Sequence, residues 1–152
     1  KEQIEALKEI CPIYVSDIAT LQDALEMIDQ VGKLMQKEKK SAQILNDISI
    51  ALNQFKLAKE QQNPIRTIYL IWNNPYMTIS GDTFISHMME LCGLENVFAQ
   101  QKRYPQITIE NIQSSDCLLI LLSSEPYPFK QNILKHYKKC LIVKKLLILK
   151  FY

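Results

Sequence analysis

The sequence predicts an α/β fold, in which a three-layer lobe with a mainly parallel sheet follows a long connecting helix. Beyond Pro64, β-rich segments alternate with amphipathic helical segments, which is typical of a parallel sheet with helical crossovers. Before Pro64, apolar residues recur at helical spacing over one long stretch. At 152 residues, of which 47% are hydrophobic and 22% charged, the chain is long enough to bury a core.

The N-terminal segments are predicted to be mostly helical. Gln3 to Glu9 indicates the end of a helix, and Ile13 to Val15 indicates a short strand. Thr20 is expected to cap a helix that continues to about Met35, although Gly32 weakens its last turn.

A longer helix is expected from Ser41 to Gln62, where Asn63 and Pro64 end it. At 1.5 Å per residue this helix would be about 33 Å long, roughly the diameter of a small domain. Its predicted buried stripe consists of Ile44, Leu45, Ile48, Ala51, Leu52, Phe55 and Ala58.

Shorter elements follow at intervals that suit a strand–helix alternation. The predicted strands are Thr67 to Trp72, Asn96 to Phe98, Leu118 to Leu122 and Leu141 to Val143. The predicted helices are Phe84 to Leu91 after an Asp82-Thr83 cap and before Gly93, a brief helix from Thr108 to Ile112, and Asn132 to Tyr137. The run Leu118 to Leu122 is almost wholly apolar, which is typical of a strand covered on both faces.

Three aromatic-rich loops each follow a predicted strand: Trp72 to Met77, Arg103 to Gln106, and Glu125 to Phe129. In open α/β sheets, ligands bind at the edge formed by the carboxyl ends of the strands. Right-handed crossovers would place the three loops on that same side. Aromatic faces beside few charges suit a large, partly apolar ligand, so the sequence indicates a binding lobe.

Composition argues against several other classes of protein. A net charge of +2 with dispersed lysines gives no electrostatic case for nucleic acid. The longest apolar run, Cys117 to Leu122, has only the length of a strand. The four cysteines lack a C-x-x-C pair, and we expect buried thiols and no metal site at Cys11, Cys92, Cys117 and Cys140.

The sequence also offers no obvious catalytic machinery. The two histidines, His87 and His136, lie in different predicted helices, away from the loops at strand ends. A nucleophile needs a base within hydrogen-bond reach, and Glu125 has no evident partner carboxylate. With three glycines, the chain has no glycine-rich phosphate loop. We therefore expect no enzyme, and His87 is expected to be a packed or surface residue.

The run from Tyr69 to Ile85 resembles a motif of ABC-importer substrate-binding proteins. The group in question is the helical-backbone type that handles vitamin B12, haem and iron–siderophore complexes. Further matches follow in the family's order, and the similarity covers about residues 1 to 143. These matches are Leu91 to Gly93, Glu95 to Phe98, Arg103 to Thr108, and Leu121 to Phe129.

That resemblance implies two lobes joined by one stiff helix, with the ligand in the cleft between them. Residues 1–19 would then be the tail of the N-terminal lobe, and residues 20–64 the helical segment with the connecting helix. Residues 65–143 would form an incomplete C-terminal lobe, so the chain would be truncated at both ends. Residues 144–152 match nothing in the family pattern and are expected to be an apolar tail without a partner strand.

The family's ligand-binding positions carry over to one set of residues in the three loops. These are Trp72, Pro75, Tyr76, Met77, Tyr104, Glu125, Tyr127 and Phe129. At Tyr104, cobalamin-binding relatives tend to have Trp. Alternatives remain open for several of them: core packing for Trp72, Tyr76 and Tyr104, gap filling for Met77, fixing of the Pro-rich loop for Glu125, and packing under that loop for Phe129. Asp82 and Thr83 are expected to cap the following helix rather than to contact ligand.

In this family an exposed acidic residue of each lobe docks on arginines of the transporter. The resemblance carries this role to Glu110, six residues after Tyr104. A carboxylate in the first turn of a helix is also favoured locally by the helix dipole, so a purely structural role is the alternative.

The implied function is that of the solute-binding component of an ABC importer. Such a protein, expected to be a monomer without a cofactor, captures cobalamin, haem or a ferric siderophore and delivers it to the membrane permease. It would lie in the cell envelope as a periplasmic protein or extracellular lipoprotein, with its signal sequence outside these residues. The alternatives are a truncated or decayed relative without binding activity and, ranked lower, an α/β enzyme.

Overall fold

One mixed β-sheet organises the part of the chain that follows Pro64. The computed structural model describes residues 2–58, 63–127, 129 and 145–148. Its strands run in the order β4-β2-β1-β5-β6, and β3 pairs separately with β1. The strands are β1 (Ile65–Asn73), β2 (Tyr76–Thr78), β3 (Leu94–Asn96), β4 (Gln106–Ile107), β5 (Leu119–Leu122) and β6 (Lys145–Ile148).

The pairing confirms a mainly parallel sheet and adds an antiparallel part that the sequence did not predict. β1 is parallel to β3 and β5, and β5 is parallel to β6. β2 is antiparallel to both β1 and β4. The first aromatic loop is therefore a hairpin that turns at Asn74-Pro75. Its return strand has three residues, too few for a periodic pattern to reveal it.

The helices agree with the predicted caps. Thr20 and Asp23 form a capping box at the start of α2, and Thr108 forms another with Asn111 at α5. Thr83 caps α4 through a bond from the Ser86 N–H. The helices are α1 (Glu2–Lys8), α2 (Leu21–Leu34), α3 (Glu38–Ala58), α4 (Phe84–Leu91) and α5 (Ile109–Gln113). No helix that the structure describes is long and apolar enough to cross a membrane.

α2 and α3 form a helical hairpin with a close contact near its turn. Ser41 is 6% exposed, and a Cβ added to Gly32 would lie 2.1 Å from the Ser41 Oγ. Gly32, which weakens the predicted helix, is therefore the residue that lets α3 approach α2. α3 begins at Glu38, three residues before the predicted start.

The prediction of a buried stripe on α3 is wrong for the side chains that the structure describes. Ile44 is 38% exposed and Phe55 is 45% exposed, while Leu45, Ile48 and Leu52 are half-buried. Ala51 is exposed too, and the side chain of Ala58 lies outside the described set. α2 is the element that packs along α3. An amphipathic pattern shows which face of a helix is apolar and is stabilised by burial. It does not show whether another element is present to cover that face.

The core lies on both faces of the sheet, as a three-layer arrangement requires. Alternate residues of the central strand point to opposite sides. One side contains Ile68, Leu70, Ile107, Ile112, Ile120, Leu122 and Phe129. The other contains Tyr69, Ile79, Met89, Leu119 and Leu121. The four residues of β5 are all buried, which confirms a strand covered on both faces.

Two predicted strands differ from the structure. Ile13 to Val15 forms no strand, and Tyr14 and Val15 are 46% and 57% exposed. β3 ends at Asn96, two residues before the predicted end. The Asn96 Oδ1 accepts a bond from the Phe98 N–H at 3.0 Å, and this local turn replaces the strand ladder.

The C-terminal expectations had mixed outcomes. The predicted helix from Asn132 to Tyr137 and the strand from Leu141 to Val143 lie outside the described residues. The expectation of a tail without a partner strand is wrong, because Lys145–Ile148 pairs in parallel with β5. Without β6, the backbone N–H and carbonyl groups of β5 on the side away from β1 would have no strand partner. The β-rich segment Lys145–Ile148 forms hydrogen bonds with these groups.

The cysteine prediction is wrong for two positions. Cys11 and Cys92 are exposed, whereas Cys117 is half-buried. Cys11 follows the end of α1, and Cys92 is the C-cap of α4, so both lie at helix ends near the surface. Cys140 lies outside the described residues.

Candidate functional site

Two of the three aromatic loops meet at one edge of the sheet. Leu70 of β1 lies opposite Leu122, the last residue of β5, and β1 continues from there to Asn73. The rings of Trp72 and Tyr127 are 5.3 Å apart at 64°, and those of Tyr127 and Phe129 are 4.7 Å apart at 66°. These are edge-to-face contacts. The three residues, here called the aromatic cluster, join the first loop to the third.

The members of the aromatic cluster differ in exposure. Trp72 is 37% exposed, and its indole N–H donates to the Asn74 carbonyl at 3.1 Å. Tyr127 is half-buried, whereas Phe129 is 6% exposed and belongs to the core. Trp72 and Tyr127 therefore present aromatic surface to solvent. Phe129 supports them from below, which corresponds to the packing alternative left open for it.

An open groove of about 490 Å³ lies beside the turn of the first hairpin. Asn73 to Tyr76 line one side, and Ile107 to Glu110 line the other. The groove forms because Tyr76 lies opposite Ile107 in the β2–β4 pair. Pro75 and Tyr76, predicted to bind ligand, thus share a groove with Glu110. Met77 is half-buried, and Glu125 is exposed in the third loop.

Tyr104 lies away from the aromatic cluster. Met77 is opposite Gln106 in the antiparallel pair, so Tyr104 continues alongside the segment that follows β2. From this register it lies about three residues, roughly 10 Å, along the sheet from the Tyr76 level. It is 49% exposed. Among the residues that the structure describes, the ring contacts are those of Trp72 with Tyr127 and of Tyr127 with Phe129, and Tyr104 takes no part in them.

Arg103, which precedes Tyr104, has a left-handed backbone conformation with φ of 53°. Its carbonyl accepts a bond from the Ser80 N–H at 2.9 Å and lies 2.8 Å from the Ser80 Oγ. Its N–H donates to the Asp82 carboxylate at 2.8 Å. The Ser80 hydroxyl and the Arg103 N–H hold the pKa of Asp82 below its usual value. The helix cap is thus Thr83, while Asp82 binds the second aromatic loop.

The contact between Ser80 and Arg103 is the part of the site that sequence reasoning missed. These residues are 23 positions apart. A serine after a short strand carries no periodic or motif signal for such a bond.

Glu110 is exposed in the first turn of α5. A hydrogen bond with the Thr108 side chain holds the pKa of Glu110 below its usual value. The carboxylate is therefore ionised at neutral pH, and Glu110 is one of the residues that line the groove.

His87 has a structural contact with a residue outside the aromatic cluster. Its Nδ1 accepts a hydrogen bond from the Leu21 N–H at 2.9 Å, which joins α4 to the first turn of α2. This agrees with the prediction of a packed or surface residue, since His87 is half-buried. Within the described ranges, no group of three or more His, Cys, Asp or Glu could hold a metal ion.

Comparison with known proteins shows the family of this chain. The family model described as periplasmic binding protein matches residues 1–138. A vitamin B12-binding protein of Vibrio parahaemolyticus is 30% identical over 113 residues, which cover 73% of this chain and 41% of the relative. A vitamin B12-binding protein of Yersinia pestis is 25% identical over 113 residues, covering 74% of this chain and 40% of the relative. The chain thus spans about two fifths of the length of these relatives.

Solved structures share the fold. The periplasmic vitamin B12-binding protein BtuF of Vibrio cholerae aligns with a TM-score of 0.77 and 21% identity, over 98% of this chain and 60% of that one. The S. aureus protein IsdE, solved with haem, aligns with a TM-score of 0.72 and 18% identity, over 91% of this chain and 59% of that one. With the family model matching most of its length, this chain belongs to the periplasmic binding protein family.

Proposed function

We propose that this chain is part of the solute-binding component of an ABC importer and that the edge with the aromatic cluster forms one wall of the ligand cleft. The observation that carries the proposal is the meeting of Trp72 and Tyr127 at the carboxyl ends of β1 and β5. The location that fits this role is outside the cytoplasmic membrane, in the periplasm or at the cell surface. The relatives named above are binding proteins, so the proposed role involves no catalysis.

The proposed ligand is a large metal chelate: cobalamin, haem or a ferric siderophore. Such molecules combine broad apolar surface with a few polar groups, and exposed Trp and Tyr faces suit that combination. Trp72, Pro75, Tyr76, Met77, Tyr104, Glu125 and Tyr127 remain the proposed contact residues, with Phe129 supporting Tyr127. The vitamin B12-binding relatives and the haem complex of IsdE support this class of ligand.

Absorbance titration with cyanocobalamin, haemin and a ferric siderophore tests the ligand proposal. We expect dissociation constants of about 10 µM to 1 mM, because one wall of a cleft buries only part of such a ligand. Trp72→Ala should weaken binding about tenfold, since stacking on an aromatic ring is worth about 1 kcal/mol or more. Tyr14→Ala removes a similarly exposed aromatic ring elsewhere and should leave the affinity unchanged.

A ligand that binds Trp72→Ala as tightly as the unsubstituted chain would contradict the role of the aromatic cluster. Binding of none of the three ligands, by protein shown to be folded, would contradict the proposed ligand class.

We further propose that Glu110 docks on a cationic side chain of the permease. It is exposed, ionised and placed beside the groove that Pro75 and Tyr76 line. Glu110→Gln should lower uptake in cells that carry the importer while ligand affinity stays unchanged. Glu90→Gln, an exposed carboxylate on α4, is the matched control. Unchanged uptake with Glu110→Gln would refute docking through this residue.

A further inference from the structure

We propose that Ser80 and Asp82 fix the backbone of Arg103 and so set the position of the Tyr104 ring, with Asp82 as a positioning residue for ligand binding. We call these two residues the Ser80–Asp82 clamp. The proposal rests on the proposed function, because it assumes that Tyr104 contacts ligand.

The Ser80–Asp82 clamp holds both backbone polar groups of Arg103. The Arg103 N–H donates to the Asp82 Oδ1 at 2.8 Å. The Arg103 carbonyl accepts from the Ser80 N–H at 2.9 Å and lies 2.8 Å from the Ser80 Oγ. Ser80 is fully buried, and its hydroxyl also contacts the Asp82 carboxylate. The peptide groups on both sides of Arg103 are thereby tied to the segment that follows β2.

The conformation of Arg103 explains why such bonds are needed. At φ of 53°, Arg103 occupies the left-handed region, which residues other than glycine rarely adopt without support from their surroundings. Release of either bond would favour relaxation to a commoner conformation. Because φ of Arg103 sets the direction of the chain into the next residue, that relaxation would move Tyr104.

Tyr104 itself depends on its neighbours for its position. Its side chain is 49% exposed, so packing against the protein constrains the ring only in part. On the far side, the Pro105 carbonyl accepts a bond from the Thr78 N–H at 3.0 Å. Bonds to Arg103 and Pro105 therefore fix the backbone immediately before and after Tyr104.

The ion pairs of the Arg103 side chain provide a control. Its guanidinium lies 3.8 Å from the Asp82 carboxylate and 3.7 Å from the Asp17 carboxylate, and all three groups are largely exposed. Exposed pairs of this kind contribute little. Asp17→Ala and Asp82→Ala each remove one negative charge from the same guanidinium, but Asp82→Ala also removes the acceptor of the backbone bond.

Amide hydrogen exchange followed by NMR tests the first step without a ligand. In Asp82→Ala we expect the Arg103 amide to exchange roughly tenfold faster and the Tyr104 resonances to shift, because a bond to a carboxylate is lost. In Asp17→Ala neither should change. Unaltered exchange at Arg103 in a folded Asp82→Ala protein would overturn the proposal. Asp82→Asn keeps an acceptor oxygen and should restore most of the protection, which separates loss of the bond from general unfolding.

Titration with cyanocobalamin and haemin tests the second step. Asp82→Ala should weaken binding about fivefold in the unsubstituted chain and have no further effect in a Tyr104→Ala chain, since two residues that act through one contact are not additive. An equal loss in both backgrounds would overturn the positioning role and leave the proposed function intact. Failure of the unsubstituted chain to bind either probe would instead count against the proposed function, and with it against any ligand role for Asp82.

Discussion

Gly93 joins the end of α4 to the start of β3 through a backbone conformation that suits glycine. Its φ is 77°, its N–H donates to the Glu90 carbonyl at 2.9 Å, and its carbonyl accepts from the Ile65 N–H at 3.0 Å. Gly93→Ala should lower the free energy of unfolding by about 1–2 kcal/mol, the cost of a left-handed conformation for a residue with a Cβ. Urea denaturation measures this change in the free energy of unfolding.

Gln36 offers the opposite substitution as a control. It has φ of 53° in the turn between α2 and α3. Gln36→Gly should leave the free energy of unfolding unchanged or raise it by up to about 1 kcal/mol, because glycine relieves the strain and its greater freedom in the unfolded chain offsets part of the gain. Equal losses for both substitutions would show that backbone strain is not the cause.

Residues of the candidate site differ in how far they can be predicted from sequence. Trp72 and Tyr127 can be predicted, because Trp72 lies near the end of β1, Tyr127 follows β5, and the apolar pattern of both strands is visible in the sequence. The position of Tyr104 cannot be predicted, because it depends on the register between β2 and β4. These two strands contain only three and two residues. The bond between Asp82 and the Arg103 N–H cannot be predicted for a related reason, since the two residues are 21 positions apart and a helix cap explains an acidic residue there equally well.

At the scale of elements, the start of α2 depends on a capping box that titrates. The Thr20 hydroxyl and the backbone N–H groups of Thr20 and Ala19 hold the pKa of Asp23 below its usual value. Since the folded pKa is the lower one, this stabilisation is present above the unfolded value of about 3.8 and is lost as pH falls through the folded pKa. Asp23→Asn should lower stability at pH 7 and have a smaller effect at an acidic pH well below 3.8.

Thermal unfolding followed by circular dichroism at the two pH values checks this. Glu26→Gln, an exposed carboxylate later in the same helix, is the control and should show no such difference. An equal effect of Asp23→Asn at both pH values would contradict the assignment of the box.

The close approach of α2 and α3 gives a second prediction at this scale. A Cβ at position 32 would lie 2.5 Å from the Ser41 Cβ, so the two helices must separate to admit it. Gly32→Ala should therefore lower the free energy of unfolding by about 1–3 kcal/mol, although alanine is the better helix former. Ser41→Gly in the same chain removes the clash and should recover part of the loss. Absence of any recovery, measured by urea denaturation, would argue against this contact as the cause.

The elements that the sequence predicts well are those whose ends depend only on neighbouring residues. Thr20, Thr83 and Thr108 cap the predicted helices because a cap needs only residues within one turn. β6 and the exposure of α3 are different, because they depend on which surfaces lie nearby. The apolar residues at 146–148 are equally consistent with a tail or a strand. Only the three-dimensional structure shows that the side of β5 away from β1 is available for pairing.

At the scale of the whole molecule, the helical segment and the sheet lobe meet where α2 contacts α4. The bond from the Leu21 N–H to the His87 Nδ1 crosses this boundary between residues 66 positions apart. Leu21 is in the first turn of α2, so its N–H has no partner within the helix, and the imidazole supplies one. His87 thus fixes the start of the helical segment relative to the sheet.

His87→Leu keeps apolar contact at this boundary but removes the acceptor, whereas His87→Gln keeps a side-chain oxygen that can accept. We expect His87→Leu to accelerate exchange of the Leu21 amide and cleavage by a protease between residues 11 and 19, while amides of β1 and β5 keep their protection. The exchange rate of the Leu21 amide in His87→Gln should fall between those in His87→Leu and the unsubstituted chain.

If the helical segment carries a second lobe, as in the proposed function, His87→Leu should also weaken ligand binding by loosening the connection between the two walls of the cleft. Unchanged exchange at Leu21 would show that packing between α2 and α4, rather than this bond, holds the two parts together.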